Sequence, residues 1–188
     1  VRILVAGATG VLGRATLPHL RGHEVVGTTR DANKLAALSA LGARGVVCDV
    51  YEPGAFARVA EAHAPEVVVN LLTDLAGGPG PANNRMRLEG GPVVSAAARA
   101  AGARRLVVES LAFGTTPAGA AAVEALEADA RASGLEVVLL RFGLLWGPGT
   151  WDATPSRERP PLHVDEAGRR AAALVVGGAP GTYVVVDP

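Results

Sequence analysis

Cysteine and lysine each occur once, and both scarcities constrain the chain. A single Cys48 rules out an intrachain disulfide. It closes an apolar run, which makes it a small core residue rather than a nucleophile. Lys34 is the single lysine among 18 basic residues. Charge of either sign is not in excess: the formal net charge is +0, which argues against a broad nucleic-acid surface or a polybasic membrane contact. No apolar run is long enough to span a membrane. The first residues enter a core strand at once and show no signal-peptide pattern, so a cytoplasmic location is the expectation. The four histidines are scattered. No cluster of His, Cys and carboxylates has ligand spacing, so no metal site is expected. No Gly-x-Ser-x-Gly elbow is present, which excludes the usual serine-hydrolase arrangement.

What the chain does have is alternation. Nearly continuous apolar runs at Arg2–Ala6, Glu24–Thr28, Gly45–Cys48, Glu66–Leu71, Arg105–Glu109, Glu136–Arg141 and Thr182–Val186 read as parallel strands covered on both faces. Helical patterns fill the gaps at Val11–Leu20, Ala32–Leu41, Pro53–His63, Asn84–Ala101, Ala118–Ser133 and Asp165–Val176. Asp31 reads as an N-cap, and Gly42 and Gly102 as helix stops. Pro18 and Pro92 fall inside helical patterns and should bend them. Ala76–Pro81 is a Gly/Pro loop, and Gly147–Leu162 a long irregular stretch. With 188 residues, of which 49% are hydrophobic, the expectation is one α/β domain over 1–188: a doubly wound parallel sheet of Rossmann type in three αβα layers.

The most informative stretch is Gly7-Ala-Thr9-Gly10-Val11-Leu12-Gly13, which follows the apolar run Ile3–Ala6 and opens a helix. In that context Gly7 permits a tight turn, Gly10 lets backbone approach a pyrophosphate, and Gly13 lets helix and strand pack closely. The free N–H groups of the helix start then face the phosphates. The end of the second strand selects the dinucleotide. NAD-preferring sites usually hold a carboxylate there, on the ribose 2′-OH. This chain has Thr29 followed by Arg30, with Lys34 one turn on. A guanidinium suits a 2′-phosphate, so NADP(H) is favoured and NAD(H) stays open. The alternative for Arg30 is a solvated loop residue paired with Asp31.

The spacing Gly-x-x-Gly-x-x-Gly resembles the extended and atypical short-chain dehydrogenase/reductase families, which include nucleotide-sugar epimerases and dehydratases. Later segments extend the resemblance in order along the chain: Arg21–Val25, Ala97–Val107, Leu140–Gly143 with Trp146–Gly149, His163–Ala167, and Gly181–Asp187. The resemblance implies that Asp49 and Val50 flank the adenine, and that Leu71, Leu72 and Thr73 line the path to the nicotinamide ribose. It also implies pairing of family members through their fourth and fifth helices. Here helices 84–101 and 118–133 carry Ala96–Ala98 and Ala120–Ala122, so a homodimer is expected. The stretch before the last helix is short for the family, leaving a minimal C-terminal substrate region.

The family's reaction centre is Tyr-x-x-x-Lys with a Ser or Thr. This chain cannot supply it. Its tyrosines are Tyr51 and Tyr183, its lysine is Lys34, and the family's two positions fall at about Gly119 and Val123. Replacement proton donors are sought among Ser110, Glu109, Glu124 and His163, with Ser110 and Glu124 the catalytic assignments. Each has a structural alternative: a strand-end hydrogen bond for Ser110, a solvated helix position for Glu124, a loop anchor for His163. Trp146 and Trp151 could wall a substrate ring or pack in the core, and Arg141 could pair with Glu109. Two functions follow. One is an NAD(P)(H)-dependent oxidoreductase or epimerase/dehydratase relative with altered acid–base chemistry, acting on a small molecule. The other is a non-enzymatic NADP(H)-sensing module.

Overall fold

The computed structural model describes every residue except positions 77 and 79, so that part of the expected Ala76–Pro81 loop lies outside the described residues. Seven strands form one parallel sheet: β1 (Arg2–Ala6), β2 (Glu24–Thr29), β3 (Arg44–Val47), β4 (Val67–Asn70), β5 (Arg105–Leu111), β6 (Glu136–Phe142) and, after two short strands, β9 (Gly181–Val185). Their order across the sheet is β3-β2-β1-β4-β5-β6-β9. The chain first winds outward from β1 to β3, then returns to the other side of β1 and winds the opposite way. The reversal falls between β1 and β4, and open α/β sheets bind ligands at the carboxyl ends of the strands flanking such a reversal.

Helices cover both faces. On one lie α1 (Val11–Thr16), α2 (Leu35–Ala40) and α7 (Val164–Gly177), whose Leu12, Leu38, Ala171 and Val175 pack on Ile3, Val5 and Val107. On the other lie α3 (Ala55–His63), α5 (Gly91–Ala100) and α6 (Pro117–Ala132), whose Phe56, Val94 and Leu126 pack on Leu4, Val68 and Leu106. Adjacent strand residues thus feed opposite cores, which is why the strands are apolar throughout. Of the paired alanine runs, Ala97, Ala98 and Ala122 pack inward, and Ala96, Ala120 and Ala121 are exposed.

The capping and stop signals appear as read. The Asp31 carboxylate accepts from the Asn33 N–H at 2.9 Å, and Gly42 and Gly102 have φ of 90° and 75°. Both prolines break their helices, by different routes. Past Thr16 the chain tightens into a 3-10 turn at Leu17–Leu20, where Pro18 lacks the N–H that would reach back four residues. Upstream of Pro92 the expected fourth helix divides into α4 (Pro81–Arg85), a π turn at Met86–Gly90, and α5. The wider turn gives the proline ring room beside the preceding carbonyls.

The region expected to be irregular also holds order that composition did not reveal. Strands β7 (Leu144–Trp146) and β8 (Pro161–His163) pair in parallel as a separate two-stranded sheet. Gly143 makes this possible, because a Cβ there would lie 2.5 Å from the Pro160 carbonyl oxygen. Trp146 donates to Asp187 at 2.8 Å, the Asp187 carboxylate accepts from the His163 N–H at 3.1 Å, and the His163 ring sits edge-on to Trp146 at 4.5 Å. His163 therefore anchors this loop region.

Helices α1 and α7 touch backbone to backbone. A Cβ on Gly168 would sit 2.2 Å from the Ala15 carbonyl oxygen. Overpacking of this kind costs about 1–3 kcal/mol. Gly168→Ala should therefore lower stability by that amount in urea titration. Gly177→Ala, where the added carbon meets nothing within 4 Å, should not.

Candidate active site

The glycine-rich turn fills the reversal point with backbone alone. Gly7 has φ of 80°, and a Cβ on it would lie 2.6 Å from the Leu71 carbonyl oxygen at the end of β4. A Cβ on Gly13 would lie 2.5 Å from the Gly7 oxygen. Any side chain at either position would push helix, turn and strand apart. Gly10 is different. Its backbone is extended, its N–H closes the turn onto the Gly7 carbonyl at 3.0 Å, and an added Cβ would meet only that oxygen, at 3.2 Å. The remaining space at Gly10 is the cleft. No side chain caps α1, so its first-turn N–H groups stay open. Arg14 steadies the turn by donating to the Thr9 carbonyl at 3.1 Å.

Two cavities meet at this turn. The first, about 290 Å³, runs from Gly7, Thr9 and Gly10 along the ends of β2 and β4 to Arg30 and Lys34. Thr29 stands where a carboxylate would select NAD, and it is committed elsewhere: its hydroxyl accepts from Thr9 at 3.3 Å and from the Asp31 N–H at 3.2 Å. Arg30 pairs with Asp74 at 3.7 Å through one nitrogen, not with Asp31, whose carboxylate caps the following turn. Val50, Leu71, Leu72 and Thr73 line this cavity. Asp49 does not. Its carboxylate accepts from the Tyr51 N–H at 3.0 Å, and it borders a shallower groove behind β3. Cys48 is buried against the same cavity, and burial pushes its thiol pKa up, which suits a core residue.

The second cavity, about 370 Å³, begins at Gly10, Val11, Leu12 and Thr73 and continues over the ends of β5 and β6. Its walls are apolar: Leu111, Phe113, Phe142 and the exposed Trp151. Trp146 is not part of it. Glu109 is. This glutamate is buried, makes no hydrogen bond or ion pair among the described residues, and has a pKa pushed up to about 7. Desolvation is the cause, partly offset by the positive charge of buried Arg87 on the π turn.

The two catalytic assignments fall elsewhere. Ser110 alternates to the opposite face of β5 and is fully buried, donating to Glu127 at 2.6 Å. Glu127 also accepts from Arg141 at 2.8 and 2.6 Å and from Arg131 at 2.9 Å. These hydrogen bonds, led by Arg141, hold its carboxyl at about 2. Arg141 is thus paired with Glu127, not Glu109. Glu124 is exposed on α6 and lines neither cavity. The sequence did carry a signal for Glu109: it is a carboxylate inside an otherwise apolar parallel strand. Nothing in the sequence marked Arg87, because the π turn that buries it was not foreseen.

Fold and cleft together define a dinucleotide-binding α/β protein. The family model described as NAD(P)H-binding matches residues 7–161, and the chain belongs to that family. The 3-diazoavenalumate denitrifying reductase of a Streptomyces species is 36% identical over 235 residues, covering 100% of this chain and 76% of that protein. Among solved structures, the UDP-glucose 4-epimerase of Thermus thermophilus complexed with NAD superposes with a TM-score of 0.80 at 20% identity, covering 99% of this chain and 78% of that one. A Bacillus halodurans protein provisionally assigned as an NAD-dependent epimerase/dehydratase gives 0.83 at 22% identity, with 100% and 94% covered. The Rossmann-type fold is thereby established. Among the described residues, no helix is long and apolar enough to cross a membrane and no group of side chains could hold a metal.

The raised pKa of Glu109 has a stability consequence of definite sign. An unfolded glutamate titrates at about 4.3, below the folded value of about 7. The folded state therefore holds the proton more tightly. Stability associated with the neutral carboxyl is complete below the unfolded value and is lost as pH rises through about 7. Glu109→Gln should raise the unfolding free energy by about 3 kcal/mol above about pH 8, and change it little below about pH 4. Chemical denaturation at the two pH values checks this.

Proposed function

We propose that the chain is an NADP(H)-dependent reductase that acts on a small aromatic substrate held over the ends of β5 and β6. The observation that carries this reading is the apolar cavity, which is continuous with the phosphate-binding turn and lies where the nicotinamide would emerge from it. A sensing module that only reports cofactor occupancy has no use for such a cavity. Four of the side chains that line it, Leu111, Phe113, Phe142 and Trp151, are apolar, which suits an aromatic ring better than a sugar. The relative named as a reductase, at 36% identity, supports the same direction.

The bare backbone at Gly10 and the open N–H groups of α1 fit a pyrophosphate. Reduced cofactor, when bound, would supply a hydride. Preference for the phosphorylated cofactor rests on three residues of this chain. Thr29 brings no carboxylate to the ribose site. Arg30 is held only loosely by Asp74. Lys34 lines the same cavity. The Thermus thermophilus epimerase structure holds NAD, so the titration should include both cofactors.

Calorimetry with NADP⁺, NADPH, NAD⁺ and NADH tests the reading directly. Gly10→Val should place its side chain in the pyrophosphate position and remove binding of all four while leaving the circular-dichroism spectrum unchanged. Binding as tight as in the parent would mean that the site is elsewhere. Arg30→Ala should weaken NADP(H) by about 1.5–3 kcal/mol, the scale of a charge-assisted hydrogen bond, and leave NAD(H) nearly unaffected. Equal losses for both would remove Arg30 from the specificity argument.

A further inference from the structure

Two buried glutamates lie close along the same part of the fold, and their surroundings drive them apart. Glu127 has three donor side chains, Ser110, Arg131 and Arg141, and stays anionic with its pKa at about 2. Glu109 has none among the described residues, and its exposed edge faces the apolar cavity. Divergent carboxyl environments of this kind are how acid and base roles become separated on one scaffold.

The groups around Glu109 can be enumerated. On β5, Ser110 points to the far face, and Arg105 lies at the opposite end, bound to Glu136 at 3.2 Å. On β6, Arg141 is turned to Glu127. On β4, Asn70 accepts from the Leu72 N–H at 3.1 Å and faces no charge. From α1, Val11 and Leu12 bring no ionisable group. From the loop after β7, Asp152 lines the same cavity. From the π turn, Arg87 is the one cation among the described residues whose field reaches Glu109. Its Nε has no hydrogen-bond partner among those residues.

We propose that Glu109 is the proton donor of this cleft, standing in for the absent tyrosine–lysine pair, and that the substrate is a neutral aromatic carbonyl compound. The inference rests on the reductase reading. Glu109 lines one cavity with Gly10 and Thr73, which also border the cavity at the phosphate turn, and with Phe142 and Trp151; in the proposed complex the substrate's carbonyl oxygen meets the Glu109 Oε. The balance is simple. Reduced nicotinamide, when bound, would supply a hydride to the carbonyl carbon, and the π pair of the C=O bond would move onto the oxygen. The Oε–H bond of Glu109 breaks as an O–H bond forms on the substrate oxygen. The carboxylate regains its proton from water at the open mouth of the cavity. An apolar wall and a carboxyl that carries its proton both favour an uncharged ring at this end. Arg87 acts as a positioning residue, since its charge lowers the proton affinity of Glu109 enough for release.

The test begins without cofactor. Carbon-13 NMR of protein labelled at the glutamate side-chain carboxyl should show one resonance titrating with a midpoint near 7, absent in Glu109→Gln. In Arg87→Gln the same resonance should titrate at higher pH. A Glu109 that titrates in the ordinary carboxylate range overturns the proposal. The NADPH-loaded protein is then assayed with 4-nitrobenzaldehyde, acetophenone and 1,2-naphthoquinone. The parent should lose kcat as pH rises through the same midpoint. Glu109→Gln should lose about 10²–10⁴-fold in kcat and the pH dependence with it, at unchanged NADPH affinity by calorimetry. Arg87→Gln should move the falling limb to higher pH. Full activity in Glu109→Gln overturns the donor role and leaves the reductase reading intact. A parent that binds NADPH and reduces none of the three probes overturns the assigned substrate class. A parent that binds no dinucleotide sinks the function itself.

Discussion

The tightest constraint in this molecule is backbone against backbone at the reversal of the sheet. Gly7 approaches the Leu71 carbonyl, and Gly13 approaches Gly7, at distances that exclude a Cβ. Those contacts fix where α1 starts relative to the ends of β1 and β4. With that start fixed, the open N–H groups of α1 face the cleft, and the two cavities meet at Gly10. The contact of Gly168 with Ala15 then pins α7 onto α1 from the outside, which places the β7–β8 pair at the substrate end. The cleft is a by-product of glycines that let helices and strands touch.

Electrostatics divide the cleft in the same way. The first cavity is lined by the cations Arg30 and Lys34 and by Asp74, which pairs with Arg30 at 3.7 Å. The other end holds a buried carboxyl among aromatic and aliphatic walls. The second cavity is walled by Leu111, Phe113, Phe142 and Trp151, with Glu109 buried beside them. Glu127 shows what the fold does with a glutamate that must stay charged: it surrounds it with arginines and a hydroxyl. Glu109, on β5, receives no such treatment among the described residues.

The sequence by itself determined the parallel sheet, the order of its seven strands along the chain, and the phosphate turn. These follow from local pattern: apolar runs covered on both faces, helical periodicity between them, and three glycines after the first strand. It also determined that Tyr-x-x-x-Lys chemistry is missing, which is a matter of inventory. Tertiary structure alone decided which way side chains at the end of β5 point. Ser110 and Glu109 are neighbours in sequence, and a strand sends them to opposite faces. The hydroxyl went to the Glu127 network and the carboxyl to the cavity. Only the fold revealed the partner of Arg141, the exposure of Glu124, the bond of the Asp49 carboxylate to the Tyr51 N–H, and the burial of Arg87 by the π turn before Pro92. The physical reason is common to all four. Periodicity reports which residues are apolar, whereas the environment of a polar group depends on contacts made across tens of residues of chain, and no local pattern encodes them.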